Sequence, residues 1–289
     1  MPSAIFTCLF LLKLTQTLIA FMVPFGTVEE NEMILLVSLG NTSLTFSLYE
    51  ERNCRFLFKT YTDKLKSENE YMDILKSFFL FHQVQVEQVE GALLSSVVPS
   101  LTKRIQRAIE NVIQKDCMLF NRELKTSIAI RTDHPQEVGS DLLSLAVGAI
   151  NTYQRDVLII NMSSVLSFSI ATAKREFLGA TFFPGMRESV SNMVSSSAQL
   201  MEIDLEKPKR ILGKNTKESI NSGMMNGYKV LISNMADELE KEYGKELYRV
   251  ITGSDAKIVK DILGHTFHHD HYLLFDGLYD IYMKNKGAF

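Results

Sequence analysis

A run of small polar residues follows the first β-prone segment of the chain. Residues 33–37 are apolar, residues 44–48 alternate between apolar and polar side chains, and the segment between them reads SLGNTS. This pattern predicts a strand, a tight turn and a second strand. Backbone N–H groups and hydroxyls in such a turn can bind phosphate, although Gly-Asn is also an ordinary hairpin turn. The candidate phosphate-binding residues are Ser38, Gly40, Asn41, Thr42 and Ser43.

The carboxylate of Asp141 is a candidate for proton chemistry. It follows Gly139 and Ser140, at the junction between a polar loop and an apolar helical stretch, 142–153. A carboxylate at this place could accept a proton from a substrate hydroxyl. Aspartate is also a favoured N-cap residue, and without further information the cap is the better interpretation.

A second polar turn, TGSD at residues 252–255, links a predicted strand to a predicted helix at 256–263. The N-terminus of such a helix can bind the phosphate of a nucleotide. An ordinary turn between a strand and a helix explains the same residues equally well.

Four of the six histidines lie within residues 265–271. Imidazoles are common metal ligands, but the segment has no matching ligand pair elsewhere in the chain. We predict a solvated loop here.

Composition and motifs exclude several classes of protein. The net charge of −3 gives no indication of the basic surface that nucleic-acid binding requires. The three cysteines (Cys8, Cys54 and Cys117) share no CxxC spacing, which argues against a disulfide framework or a structural zinc site and fits a reducing cytosol. The chain contains no GxxxxGK[ST], GxGxxG, HExxH or GxSxG motif, so P-loop and dinucleotide-binding interpretations lose support.

The pattern of the first segment recurs half a chain later. Residues 157–170 again read as strand, small polar turn and strand, and a third strand follows each copy, at 54–61 and at 176–183. This internal duplication predicts two similar α/β domains with a ligand-binding cleft between them. The predicted divisions are an apolar extension at 1–32, a first domain at 33–150 and a second domain at 151–289.

Hydrophobic periodicity predicts the remaining elements. Thr216 is the expected N-cap of a long helix at 217–243. The other predicted elements are helices at 63–81, 101–113, 142–153, 186–200 and 273–284, and strands at 89–98, 116–120, 128–131 and 248–252.

The N-terminal extension is strongly apolar between residues 5 and 25, broken by Lys13. Its length suits a signal peptide or a membrane anchor. It has no basic region before the apolar run and no clear A-x-A cleavage site. We therefore expect translation to start at Met33, with a membrane anchor as the alternative.

Taken together, these segments resemble the type III pantothenate kinase family, collinearly from residue 33 to residue 285. The motifs that carry the resemblance are GNT at 40–42, SSVVP at 95–99, HPQEVGSD at 134–141, FPG at 183–185, GKNT at 213–216, SG at 222–223, GY at 227–228, TG at 252–253 and GLY at 277–279. Each motif is short, but their order and spacing together are specific.

The resemblance implies the acetate and sugar kinase/Hsc70/actin fold, in which two duplicated RNase H-like domains surround a central cleft. It implies ATP-dependent phosphorylation of pantothenate to 4'-phosphopantothenate, the first step of coenzyme A biosynthesis. The implied cofactors are ATP, Mg²⁺ and a monovalent cation, K⁺ or NH₄⁺. The implied protein is a cytoplasmic homodimer without a nucleic-acid partner, and a membrane partner is not expected.

The same resemblance assigns roles by position. Asp141 would be the catalytic base, and Gly139, Ser140 and Leu142 would line the pantothenate site. Thr216 would contact pantothenate from the partner subunit. The implied ATP-binding residues are Ser38, Gly40, Asn41, Thr42, Ser43 and Ser164, and Asn161 falls at the monovalent-cation position.

Several positions depart from the family pattern. The pattern has Asp at position 38, Arg at 142 and Asp at 161, where this chain has Ser38, Leu142 and Asn161; Ala180 and Ser254 replace glycines. Losing one stabilising contact to a transferred group typically costs roughly 10²–10³-fold in rate. Two hypotheses follow: a working kinase that uses Asp141 and main-chain phosphate contacts, or a catalytically impaired member that binds pantothenate or nucleotide or acts in regulation.

Overall fold

A computed structural model describes residues 32–196 and 203–287 of the protein. The strands are β1 (Met33–Leu39), β2 (Ser43–Glu50), β3 (Asn53–Tyr61), β4 (Val89–Ser96), β5 (Cys117–Leu119), β6 (Ala129–Ile130), β7 (Val157–Met162), β8 (Val165–Thr172), β9 (Glu176–Pro184), β10 (Tyr248–Thr252) and β11 (His268–His269). The helices are α1 (Glu68–His82), α2 (Pro99–Ile113), α3 (Ser140–Tyr153), α4 (Met186–Ser195), α5 (Thr216–Tyr243), α6 (Ala256–Leu263) and α7 (Leu273–Asn285).

The first sheet has the strand order β3-β2-β1-β4-β5. Its first three strands are antiparallel neighbours, whereas β4 and β5 run parallel to β1. The central strand β1 is buried on both faces. Leu35 and Val37 pack in the cluster under α1 and α2, and Ile34 and Leu36 pack in the cluster under α7. Burial on both faces explains why β1 is a continuous apolar run without alternation.

The second sheet repeats this topology. Its order is β11-β10-β7-β8-β9-β6, in which β9, β8, β7, β10 and β11 correspond to β3, β2, β1, β4 and β5. The directions also correspond, since β7-β8 and β8-β9 are antiparallel and β10 runs parallel to β7 and β11. The short strand β6 adds to the far edge, parallel to β9. The prediction of duplicated RNase H-like folds is confirmed.

Two helices cross between the halves of the chain. Helix α3, which comes from the first half, packs on the second sheet through Leu145 and Ala149. Helix α7, which ends the chain, packs on the first sheet through Leu278 and Ile281. The two helices also contact each other closely, so they join the two sheets on one side of the cleft.

One face of the first sheet changes character along its strands. Ile34 and Leu36 on β1 and Leu93 on β4 lie under α7. Further along the same face come Ser38 and Ser95, a pair in the β1-β4 register, because alternate strand residues share a face. The sheet is therefore apolar where α7 covers it and polar where the strands reach the cleft.

Four helices begin at residues other than those predicted, among them α3, which begins at Ser140 instead of 142. Helix α1 begins at Glu68 instead of 63, because the Ser67 side chain and Glu70 form a capping box. Pro99 begins α2 rather than only ending β4. The N-cap of α5 is Asn215, whose side chain accepts a hydrogen bond from the Glu218 N–H at 2.9 Å. The prediction of Thr216 as that cap is therefore wrong.

The histidine segment is also different from the prediction. His268–His269 form the short strand β11, which pairs with β10, so the segment is only partly a loop. In the described part of the chain, no group of three or more His, Cys, Asp or Glu side chains could hold a metal ion. No helix within residues 32–196 and 203–287 is long and apolar enough to cross a membrane. The N-terminal segment for which an alternative start or an anchor is predicted lies outside the described residues.

Candidate active site

A cavity of about 240 Å³ lies where the polar strand ends of the two sheets meet. Its lining includes most of the residues selected from the sequence, drawn from both copies of the strand-turn-strand unit and from the start of α3. These residues are Ser38, Gly40, Asn41, Thr42, Ser43, Asp141, Asn161 and Ser164. The duplication thus brings two corresponding turns and one carboxylate to a common space.

The first turn is held by short hydrogen bonds. Gly40 N–H donates to the Ser43 carbonyl at 2.8 Å, and the Thr62 hydroxyl donates to the Gly40 carbonyl at 2.7 Å. The Asn41 and Thr42 N–H groups have no hydrogen-bond acceptor among the described residues. The turn is therefore fixed while two N–H groups stay available for a phosphate.

The second turn, at Ser163 and Ser164, is fixed from the other side of its hairpin. Gly185 N–H donates to the Ser164 carbonyl at 3.0 Å. A Cβ on Gly185 would lie 2.3 Å from the Ser163 carbonyl oxygen. This close approach explains the glycine of the FPG motif, which holds the turn in place against the N-terminus of α4.

A third polar turn approaches Asn161 directly. Gly253 has φ of +96°, a conformation that favours glycine. The Asn161 side-chain oxygen and the Met162 carbonyl oxygen lie 2.5 and 2.4 Å from the position that a Cβ on Gly253 would occupy. Any side chain here would displace these two oxygens, and Asn161 and Gly253 themselves line the cavity. The sequence alone is compatible with an anion site or an ordinary turn here, and Thr252 and Ser254 also line the cavity.

Asp141 lies in the first turn of α3 and reaches the cavity. The N-cap is Gly139, so Asp141 is not the cap itself. Burial raises the pKa of the Asp141 carboxyl, while its own N–H and that of Leu142 act in the opposite direction. A Cβ on Gly139 would lie 2.5 Å from a carboxylate oxygen of Asp141. Glycine at 139 therefore leaves room for a partly desolvated carboxylate of the kind that serves as a general base.

Ser95 contacts the residue before this carboxylate and was not selected from the sequence as a site residue. It lines the cavity at the end of β4, and its hydroxyl lies 2.8 Å from the Ser140 hydroxyl. The residue was visible only as part of the SSVVP motif, because its contact with Ser140 depends on the packing of α3 beside β4.

Four predicted residues do not line this cavity. Gly139 is the N-cap of α3 and Ser140 is its first residue, directly before Asp141. Leu142 is buried in the apolar cluster between α3 and the second sheet. Thr216 is exposed at the beginning of α5.

Lys59 on β3 lines the cavity and was also missed. The sequence predicts the strand that carries it, but the strand order that brings β3 to the cleft is not visible in a local pattern. Among the described lining residues, Lys59 is the only lysine or arginine and Asp141 is the only carboxylate.

The lining does not fit a divalent ion held by the protein. Mg²⁺ is usually bound through one or two carboxylates together with waters and substrate phosphates. Besides Asp141, the side chains of this lining that could offer an oxygen to the ion are neutral. They include the Ser38, Ser95 and Ser254 hydroxyls and the Asn161 amide. A carboxylate pair for a metal is absent from the described part of this cavity.

Comparison with known proteins places these features in a family. The sequence profile described as type III pantothenate kinase matches residues 34–238. A protein named type III pantothenate kinase in Persephonella marina is 30% identical over 250 residues, covering 86% of this chain and 98% of the relative. Its counterpart in Sulfurihydrogenibium sp. is 29% identical over 247 residues, with the same coverage of both chains.

A solved structure has a similar fold. A protein from Campylobacter jejuni described as a Baf family transcriptional activator superposes with a TM-score of 0.52. It is 17% identical and covers 88% of this chain and 99% of that chain. At this identity the likeness concerns the fold alone.

Proposed function

The chain belongs to the type III pantothenate kinase family, and we propose that it transfers the γ-phosphoryl group of ATP to the hydroxyl of pantothenate. Family membership implies pantothenate and ATP as substrates and a divalent ion that accompanies the nucleotide. The observation that carries the proposal is the common cavity of the two phosphate-binding turns and Asp141.

The proposed mechanism relies on positioning. The free N–H groups of Asn41 and Thr42 bind phosphate oxygens from one side, and Ser164 contacts the nucleotide from the other. Asp141 accepts a hydrogen bond from the attacking hydroxyl and takes its proton as the new P–O bond forms, while the bond between the γ-phosphorus and the β–γ bridging oxygen breaks and ADP leaves. Phosphoryl transfer passes through a loose transition state, so alignment and charge stabilisation supply most of the catalysis. Burial of Asp141 supports this role, because a raised carboxyl pKa suits a general base.

A second candidate function is specifically favoured by the substitutions in the cleft. With Ser38 and Asn161 in place of two aspartates, the cavity lacks the carboxylates that would organise metal ions. A family member with this lining could bind pantothenate or nucleotide without turnover, as a binding or regulatory protein. The turns and the fold are kept in both alternatives.

One assay separates the two candidates. The purified protein is incubated with ATP, Mg²⁺, K⁺ and pantothenate, and 4'-phosphopantothenate is measured by mass spectrometry. Turnover that Asp141→Asn abolishes supports the kinase. Binding of pantothenate or nucleotide by calorimetry without product supports the second candidate, and neither binding nor turnover contradicts both.

Further proposals concern the ions, the assembly and the location. A monovalent cation (K⁺ or NH₄⁺) bound at Asn161 is supported by the oxygens of Asn161 and Met162 that converge beside Gly253. A rate that depends on K⁺ concentration, and less so in Asn161→Ala, would test it. We retain the two-domain division at residues 33–150 and 151–289 and a cytoplasmic location as proposals.

A homodimer is the remaining proposal, in which Thr216 contacts pantothenate bound to the partner subunit. It is supported by the exposed side chains of Ile211 and Leu212, which are 82% and 75% accessible immediately before α5. Sedimentation velocity would measure the assembly. A monomer at assay concentrations would contradict it.

A further inference from the structure

We propose that Lys59 is a nucleotide-binding residue of this site, whose ammonium group contacts the phosphates of the bound nucleotide beside the first turn. This inference rests on the proposed nucleotide site and adds to it a residue outside the sequence motifs. Three observations support it: the position of Lys59 in the sheet, the charges of the cavity lining, and the charged groups that act on the Lys59 amine.

The sheet register puts Lys59 in one row with the centre of the site. Lys59 pairs with Thr45, Thr45 pairs with Ser38, and Ser38 pairs with Ser95. Directly paired residues project from the same face of a sheet, and all of these residues line the cavity. Neighbouring strands are about 4.8 Å apart, so the long side chain of Lys59 can extend over Thr45 toward Ser38. This is the face that becomes polar beyond the cover of α7.

The charges of the cavity leave a role for one cation. A nucleotide brings several negative charges, and the described lining offers Lys59 as its only lysine or arginine. Within the described part of the chain, the Lys59 ammonium forms no ion pair with a carboxylate. An unpaired ammonium beside a phosphate-binding turn is positioned for a charge-assisted hydrogen bond to a phosphate oxygen.

The wall opposite Lys59 does not neutralise it. Two acidic groups, Asp255 and Glu188, raise its pKa, but neither forms an ion pair with Lys59 among the described residues, and Asp255 already binds the Arg187 guanidinium at 2.9 Å. Partial burial in the cleft is the main influence on the Lys59 amine and lowers its pKa. The side chain is nonetheless exposed to solvent, so it can reach an incoming anion.

The test compares Lys59→Met with Lys59→Arg and with Lys76→Met. Lys76 is an exposed residue of α1 outside the cavity, so its variant removes the same charge at a position away from the proposed nucleotide site. Each full-length protein is titrated calorimetrically with AMP-PNP, and separately with pantothenate, whose carboxylate is the other candidate anion. Thermal unfolding of each variant checks that the fold is intact.

We expect Lys59→Met to weaken AMP-PNP binding roughly 10- to 100-fold, the range for removing a hydrogen bond to a charged group. Lys59→Arg should keep most of the affinity, and Lys76→Met should match the wild type. Unchanged AMP-PNP affinity in Lys59→Met, or a loss confined to pantothenate, would overturn the inference. If the wild type turns over and Lys59→Met binds AMP-PNP as tightly as the wild type, the inference about Lys59 is wrong and the proposed function stands. If the wild type binds nucleotide without turnover and Lys59→Met weakens that binding, the kinase activity is contradicted and the inference about Lys59 stands. A wild type without nucleotide binding would contradict both.

Discussion

The Ser95 hydroxyl and the Ser140 hydroxyl lie 2.8 Å apart and join the end of β4 to the first turn of α3. The same turn is fixed from within, because the Ser144 hydroxyl donates to the Ser140 carbonyl at 2.7 Å. Asp141 is the next residue. The side chain proposed as the base is thus positioned by the first sheet, although α3 itself packs on the second sheet.

Removing this bond should misplace Asp141 without unfolding the protein. We expect Ser95→Ala to lower kcat/KM for pantothenate roughly 10-fold, because small errors in the position of a reacting group are costly. Ser95→Thr, which keeps a hydroxyl, should recover most of the activity. Steady-state kinetics measure the effect, and Ser100→Ala, at an exposed position on α2, is the control. A Ser95→Ala enzyme with wild-type kinetics would show that the bond has no positioning role.

Asp141→Asn should lower the activity and raise the thermal stability of the protein. We expect turnover to fall roughly 10²–10⁴-fold, the range for a lost general base. In the folded protein the pKa of Asp141 is raised, so the native state binds more protons than the unfolded state between the two pKa values, and stability falls as pH rises through that interval. The variant should therefore unfold at a Tm about 1–4 °C above the wild type at pH 7.

The pH dependence provides the check on this prediction. The Tm difference between Asp141→Asn and wild type should disappear at low pH, where Asp141 is protonated in both states. The acid limb of the kcat/KM profile should lie above the usual range of aspartate. A Tm difference that is the same at every pH would contradict the assignment of the raised pKa to Asp141.

Restoring the family's carboxylate tests how the substitution at 38 affects the reaction. Ser38→Asp should increase turnover roughly 10- to 100-fold and reduce the Mg²⁺ concentration that half-saturates the rate, because a carboxylate there would help hold the ion. Ser38→Asn, of similar size but neutral, is the matched control. Equal effects of the two variants would mean that charge at this position is not what the site lacks.

The parts of the molecule that were predictable are those with local signals. The buried run of β1 and the turn after it were read correctly because strand, turn and strand are neighbours in the chain. The beginning of α1 was predicted wrongly at 63, although the capping-box spacing of Ser67 and Glu70 is a local signal for the observed start at Glu68. Thr216 was predicted as the cap of α5 and Asn215 is the cap observed; both residue types are good N-caps, and only the backbone distinguishes them.

The parts that were missed depend on long-range pairing. Lys59 reaches the cleft because β3 pairs with β2 and β2 with β1, and Ser95 contacts Ser140 because α3 lies beside β4. Neither relationship follows from periodicity. The crossing of α3 and α7 between the sheets also has no signature in a single sequence, apart from the glycines that allow it.

Gly148 on α3 and Gly277 on α7 lie where the two helices cross, and they give the strongest prediction about stability. A Cβ on Gly277 would lie 1.8 Å from the Ser144 carbonyl oxygen, and a Cβ on Gly148 would lie 2.3 Å from the Leu273 carbonyl oxygen. Because these obstacles are backbone atoms, the helices must separate to admit a methyl group, and we expect Gly277→Ala to destabilise the protein by about 2–4 kcal/mol. Gly227→Ala on α5 meets nothing within 4 Å, so there the usual helix preference for alanine should stabilise by about 0.5–1 kcal/mol. Urea unfolding measures both, and effects of equal sign would contradict a close crossing of α3 and α7.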